Sequence, residues 1–368
     1  MNELERRLKS SLTEVRDAGR SEDRTDRVLA KQELFRRMRR RQIRIYVGSA
    51  ALAGGAAVAA FLLLTNPAEP GPREPRFAPA DVPAPATAAV RVGHEPTDLS
   101  VGAHGYVWST DVGSRTLSRI DPVSNSRVSE IGLPAVPGDI AIGNGPVWVA
   151  FPQKGTVVRV SPSAQSVTED QIPVADGPVE RIELGQAAGA LWIVSPGQLM
   201  RVDQETREEI VVTLAKDPID IAVKGEVARL LDANGLIYQL DSRTGEEIGR
   251  RVEVPASRNG DITFKAGTIW YSTGDDGTLY RIDQRSGEVL NTLEVPGQIV
   301  DFVADPDVAW VLSRSAEASF LTRVDRETGA AMGSPIEVAG EPAEVILTAG
   351  SLWMTLTSDD VVLRFAKQ

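Results

Sequence analysis

Every tryptophan in the chain falls on one ladder: Trp108, Trp148, Trp192, Trp270, Trp310 and Trp353, each preceded by Val, Leu, Ile or Ala. The steps are 40, 44, 78, 40 and 43 residues, and the 78 resolves into 36 and 42 when Ala228, in Val227-Ala228, takes the vacant rung. Seven units of about 40 residues therefore make up most of the chain. In such an array each unit buries its apolar face against its neighbours, so a length of 368 residues is spent on one repeat structure and not on several separate domains.

A second ladder follows each Trp by about eleven residues: Arg119-Ile120-Asp121, Arg159-Val160-Ser161, Arg201-Val202-Asp203, Gln239-Leu240-Asp241, Arg281-Ile282-Asp283, Arg323-Val324-Asp325 and Arg364-Phe365-Ala366. After several of these come turns such as Asp241-Ser242-Arg243-Thr244-Gly245 and Asp283-Gln284-Arg285-Ser286-Gly287. There Asp can accept turn amides and Gly can adopt the left-handed conformation, which closes a hairpin. The runs beyond alternate or carry β-branched residues, as in Glu288-Val289-Leu290-Asn291-Thr292-Leu293. Each unit thus reads as four antiparallel strands, the pattern of a propeller blade.

The last unit stops one strand short, at Arg364-Phe365-Ala366-Lys367-Gln368. Ala88-Ala89-Val90-Arg91-Val92 at the other end supplies the missing strand, so the two ends pair and close the ring. Closure removes the exposed edges an open sheet would leave. The expectation is an all-β, seven-bladed β-propeller over residues 87–368, closed by an N-terminal strand.

A third ladder carries charge. Asp98, Asp139, Glu180, Asp220, Asp261, Asp301 and Glu344 recur at steps of 41, 41, 40, 41, 40 and 43, one at the start of each unit's first strand. If first strands line the channel, these carboxylates ring one mouth of it. A ring of like charges raises the pKa of some members and attracts cations, so it is a candidate binding ring for a divalent cation or a cationic ligand. The structural alternative is that each acid accepts backbone amides or bonds the neighbouring blade, a role needed once per repeat.

The Pro-x-Asp-Ile, Val-Trp and Arg-Ile-Asp elements of residues 88–368 resemble those of the seven-bladed YVTN-type and streptogramin-lyase-like propellers. The resemblance implies four-stranded blades with the first strand innermost. It says little about chemistry, because propellers serve as enzymes, receptors and platforms alike. The lyase branch needs a catalytic His and Glu with a metal in the central funnel. Here the two histidines, His94 and His104, both fall at the start of the first blade, so no His pair from separate blades converges.

Ahead of the array the composition changes. Residues 1–44 hold fourteen Lys/Arg against eight Asp/Glu, a surplus of +6 that leaves −17 for the rest of a chain whose net charge is −11. Leu4, Leu8, Leu12 and Val15 draw one apolar stripe on a charged helix, and a second helical run carries Val28, Leu29, Leu34, Phe35 and Met38. These stripes suit the inner leaflet or a cytoplasmic partner. Ile45 to Leu64 is a twenty-residue stretch without a charge, long enough as a helix to span a bilayer. A secretory signal peptide is the alternative, but the preceding 44 residues are long for its charged region. Arg36, Arg37, Arg39, Arg40, Arg41 and Arg44 keep the amino terminus in the cytoplasm and place the propeller outside. Residues 65–86 are a proline-rich spacer: seven of the 21 residues from Asn66 to Ala86 are proline.

With no Cys in the chain, neither disulfides nor thiol chemistry operate. Nothing resembles a phosphate-cradling loop, a Ser nucleophile elbow or an HExxH helix, and the acidic propeller disfavours nucleic acid. The sequence therefore points to a non-enzymatic, single-pass, membrane-anchored propeller in the cell membrane, a sensor or scaffold that binds an unknown protein or small-molecule ligand. The expectation includes no obligatory cofactor and no catalytic residue. A metal-assisted lyase or hydrolase of the streptogramin-lyase-like type is the competing class.

Overall fold

The computed structural model describes residues 86–366, except 103–104, 144–145, 162, 164–165, 175–178, 180, 186–188, 214–216, 266 and 305–307. The expected cytoplasmic helices, the span at Ile45 to Leu64, nearly all of the proline-rich stretch, His104 and Glu180 lie outside the described residues. Among the described residues no helix is long and apolar enough to cross a membrane.

These residues form a seven-bladed β-propeller, with seven four-stranded antiparallel sheets, each a simple meander. Blade one, for example, runs Pro96–Val101, Val107–Asp111, Thr116–Asp121 and Ser126–Gly132 from the axis outward. Blade seven is the composite one: Pro342–Leu347, Ser351–Leu356 and Val361–Ala366 come from the carboxyl end, and Ala86–Arg91 adds the outer strand. That closing strand runs antiparallel to Val361–Ala366, with Ala89 opposite Leu363, Val90 opposite Val362 and Arg91 opposite Val361. The strand begins at Ala86, one residue before the boundary expected from the sequence.

The second strand of every blade is buried along almost its whole length; in blade three, Ala190–Ser195 is buried throughout. Both faces of each sheet pack against a neighbouring blade, which is why these strands are near-continuous apolar runs and do not alternate. The indoles fill the seams. Trp108 packs with Ile140 and Val149 of blade two, Trp270 with Phe302 and Val311 of blade six, and Trp353 with Leu99 and Val107 of blade one. Opposite each Trp, on the third strand, stands the arginine of the second ladder: Trp108 faces Arg119, Trp192 faces Arg201 and Trp353 faces Arg364. Arg119 and Arg364 lie 5.7 and 5.3 Å from their Trp ring centroids, a cation–π pairing. The heads reach the next blade: Arg201 Nε donates to Ser242 O at 3.0 Å, and Arg364 Nη1 to Pro122 O and Asn125 Oδ1 at 2.8 Å.

Blade four corrects the expected rung. In the regular blades Trp faces the third-strand arginine, and the residue facing Gln239 is Arg229, not Ala228. Arg229 also faces Ala222 on the inner strand, where Trp108 faces Ser100 and Trp148 faces Ala141. The steps across blade four become 37 and 41, and a fully buried arginine stands where six blades carry indole.

The hairpin turns follow the chemistry expected of them. Asp241 Oδ1 accepts the amides of Arg243 and Thr244 at 2.8 and 2.9 Å, and Asp283 Oδ1 those of Arg285 and Ser286 at 2.9 and 2.7 Å. These amides hold both carboxyls below the ordinary carboxylate value. Gly245 and Gly287 sit at φ 77° and 76°, a region that costs glycine nothing.

The seam between blades seven and one is stapled by polar contacts. Glu95 N donates to Asp360 Oδ1 at 3.0 Å, His94 Nδ1 lies 2.8 Å from Asp360 Oδ2, and Thr357 Oγ1 donates to Pro96 O at 2.9 Å. Beneath the crossing segment Asp111 accepts Ser118 Oγ at 2.6 Å, Ser109 Oγ at 2.7 Å, and Thr116 Oγ1 and Gly93 N at 3.1 Å. Burial pushes the Asp111 carboxyl up to about 6 against the pull of these four donors.

Candidate functional site

The described members of the third ladder occupy one end of the ring of inner strands, at the point where each strand begins. Its local cause is a bulge. Pairing slips between Pro96 and Asp98, Pro218 and Asp220, and Ile299 and Asp301. A bulge re-aims the side chain that follows it, and Pro is tolerated at a strand's first residue, where its missing N–H leaves no ladder bond unmade. The slip turns the carboxylate sideways to the next blade. Asp98 Oδ2 accepts Ile140 N at 2.8 Å, Asp139 Oδ2 accepts Ile182 N at 2.7 Å, Asp220 Oδ2 accepts Ile262 N at 2.7 Å, and Asp301 Oδ2 accepts Val345 N at 2.8 Å. Each joins inner strands about 42 residues apart in sequence. Asp98, Asp220, Asp301 and Glu344 are buried, Asp139 and Asp261 half-buried. Glu344 N donates to Thr355 Oγ1 at 3.0 Å.

Blade three is different. Ile182 donates its N–H to Asp139 and faces Ile193, as Leu99 faces Ser109 and Ile140 faces Val149. The residue before it, at the register of the acid, is Arg181, opposite Val194. A cation therefore interrupts the ring. Arg181 Nε lies 2.7 Å from Asp220 Oδ1 in blade four, and its Nη2 reaches Asp261 Oδ1 in blade five at 3.4 Å. One side chain from blade three thus engages the two successive blades.

The neighbours adjust. An arginine cannot accept the amide of the next blade, so Asp220 Oδ1 takes its own following amide, Ile221 N, at 2.8 Å. Asp98, which follows Glu344 and not an aspartate, does the same with Leu99 N at 3.0 Å. Burial holds the Asp220 carboxyl well above the ordinary range; Arg181 opposes that shift, and the adjacent Asp261 carboxyl, in hydrogen-bonding contact, adds to it. Two carboxyls in such contact share a proton more readily than either ionises beside the other. The mouth therefore holds an Arg181–Asp220–Asp261 cluster at one sector, with Asp98, Asp139 and Asp301 clamping amides elsewhere. Among the described residues no three His, Asp or Glu side chains are grouped to hold a metal ion.

Sequence reasoning missed Arg181. The signal was present in Ile182: the aliphatic residue after the acid recurs as Leu99, Ile140, Ile221 and Ile262, and aligning on it places Arg181 in the ring register.

No family model and no curated protein sequence matches the chain. Solved structures do, and the likeness shows the fold. The β-propeller domain of Cps50 (Swd1) from Myceliophteria thermophila superposes with a TM-score of 0.62 at 13% identity, covering 77% of this chain and 99% of that one. Virginiamycin B lyase from Staphylococcus aureus gives 0.63 at 16% identity over 75% of this chain and 98% of the lyase. Kuenenia stuttgartiensis hydrazine synthase gives 0.63 at 12% identity over 74% and 96%. The class is thereby a seven-bladed β-propeller. At these identities the likeness carries architecture alone.

Proposed function

We propose that the chain is a membrane-anchored, non-enzymatic binding protein. Residues 45–64 form its single span, residues 1–44 stay in the cytoplasm, and the propeller stands outside and binds a ligand or protein at the channel mouth. The observation that carries the binding reading is the interruption of the acidic ring by Arg181. A purely architectural ring repeats in every blade, whereas a recognition site needs one sector unlike the rest. Here a cation and two adjacent carboxyls lie together at the mouth, an arrangement suited to a partner that offers both a donor and an acceptor group. The arginine cluster beside the span and the acidic propeller support the anchored orientation.

The test is crosslinking in native membranes with the full chain and its Arg181→Leu/Asp220→Asn variant, which removes the cation and the charge it compensates together. A partner captured by the wild type and lost from the variant, with unchanged melting of the propeller, is the expected result. Turnover of small esters or lactones on adding Mg²⁺ would replace the binding reading with a metal-assisted hydrolase or lyase. Recovery of the chain in the soluble fraction would overturn the anchor.

A further inference from the structure

The seam between blades four and five holds a charge that no carboxylate among the described residues answers. Arg229 is fully buried. Its Nη2 donates to Gln239 Oε1 at 2.9 Å, while Nε and Nη1, also buried, meet no acceptor among the described residues. Its guanidinium lies 5.5 Å from the Phe264 ring of blade five, and Lys224 Nζ stands 5.6 Å from the same ring. No carboxylate acts on Arg229 among the described residues; burial alone lowers its pKa to about 10, which leaves it protonated at neutral pH.

The other blades show what this position requires. There the rung is Trp facing Arg; in blade four it is Arg facing Gln. Both replacements subtract side-chain volume from a layer that blades otherwise fill at the density of an organic crystal. Beside them lie two unmet N–H donors and a cation. A buried polar group without an acceptor is costly, and a buried charge without a counter-charge more so. Water would answer the donors but leave the charge, so a species that answers both fits better.

We propose that the blade four–five seam binds a small monovalent anion of the halide class, held by Nε and Nη1 of Arg229 at the rung where the other blades carry indole. The site is independent of the channel mouth and of the binding role proposed for it. It acts as a structural counter-ion: the anion occupies the rung and completes the inter-blade layer that tryptophan completes elsewhere.

Two measurements on the full chain decide this. Crystals grown in bromide should show an anomalous bromine peak within hydrogen-bonding distance of Arg229 Nη1. Melting should rise by about 3 °C for a tenfold increase in sodium chloride and stay flat in sodium gluconate of equal ionic strength. Arg229→Met should abolish the difference between salts. Arg229→Trp, which restores the rung and the layer's volume, should abolish it too and covers the case in which the methionine variant fails to fold. Water alone at the guanidinium, equal melting in the two salts, or a chloride effect surviving in Arg229→Trp would each overturn the proposal.

Discussion

Two seams of the ring are built by opposite means. Between blade one and the carboxyl-terminal strands of blade seven, which only the hydrogen-bonded ladder from Ala86–Arg91 to Val361–Ala366 links, the repeat keeps its full equipment. Trp353 is buried, Arg364 covers it and reaches Pro122 and Asn125, and extra staples run from His94, Glu95 and Thr357. Between blades four and five, where the chain is continuous, indole and arginine have both been replaced, and a lone guanidinium occupies the layer. Each blade packs only on its neighbours, so a weakness where two chain ends meet opens the ring, whereas one beside an unbroken connection is held shut by the connection itself. Departure from the repeat is tolerated where topology protects it.

The comparison breaks most directly if closure proves dispensable. Deleting Ala86 to Val92 from the full chain should abolish the propeller's cooperative melt, read by calorimetry, because it strips the outer strand from blade seven and uncovers Val361–Ala366. Next in size, Trp353→Ala should cost about 3–5 kcal/mol in urea unfolding. Asp111 gives a pH-dependent handle on the same seam. Its folded pKa of about 6 exceeds the ordinary 3.8, so the folded state binds the proton more tightly. The group therefore penalises stability above about pH 6, and the penalty disappears as pH falls toward 4. The stability difference between wild type and Asp111→Asn should shift in favour of wild type by up to about 3 kcal/mol between pH 7.5 and 4; a constant difference would show that the carboxyl does not titrate there. Asp301→Ala, which removes the acceptor of Val345 N, should cost about 1–3 kcal/mol. The smallest effect belongs to the relaxed seam. In halide-free buffer Arg229→Met should be neutral or stabilise by about 1 kcal/mol, since an apolar side chain replaces an unanswered charge.

The elements that recur were legible in the sequence. The Trp ladder, the Asp-to-Gly turns and the borrowed strand each follow from local rules stated several times over, and a rule repeated seven times survives an error in any one unit. The single departures were not. Arg229 escaped because Val227-Ala228 imitates the Val-Trp step, and only its strand partner Gln239 reveals the register. Arg181 escaped because Glu180, one residue earlier, satisfied the expected spacing. The destinations of the carboxylates were also hidden, since a sequence shows that Asp98 opens a strand but not that its oxygen turns away from the axis to the amide of Ile140. That turn comes from the bulge at Thr97, and a bulge leaves no mark in a hydrophobic pattern.

The placement of the closing strand has a mechanical consequence. Whatever precedes Ala86 in the chain joins the propeller at the circumference, through the one strand whose removal opens the circle. Any pull arriving along that chain is borne first by the ladder between Ala86–Arg91 and Val361–Ala366. A tug in line with the strand loads those bonds together in shear, while a tug across it parts them singly from Ala86. The direction of tension on the leash thus decides whether the molecule resists or unlatches.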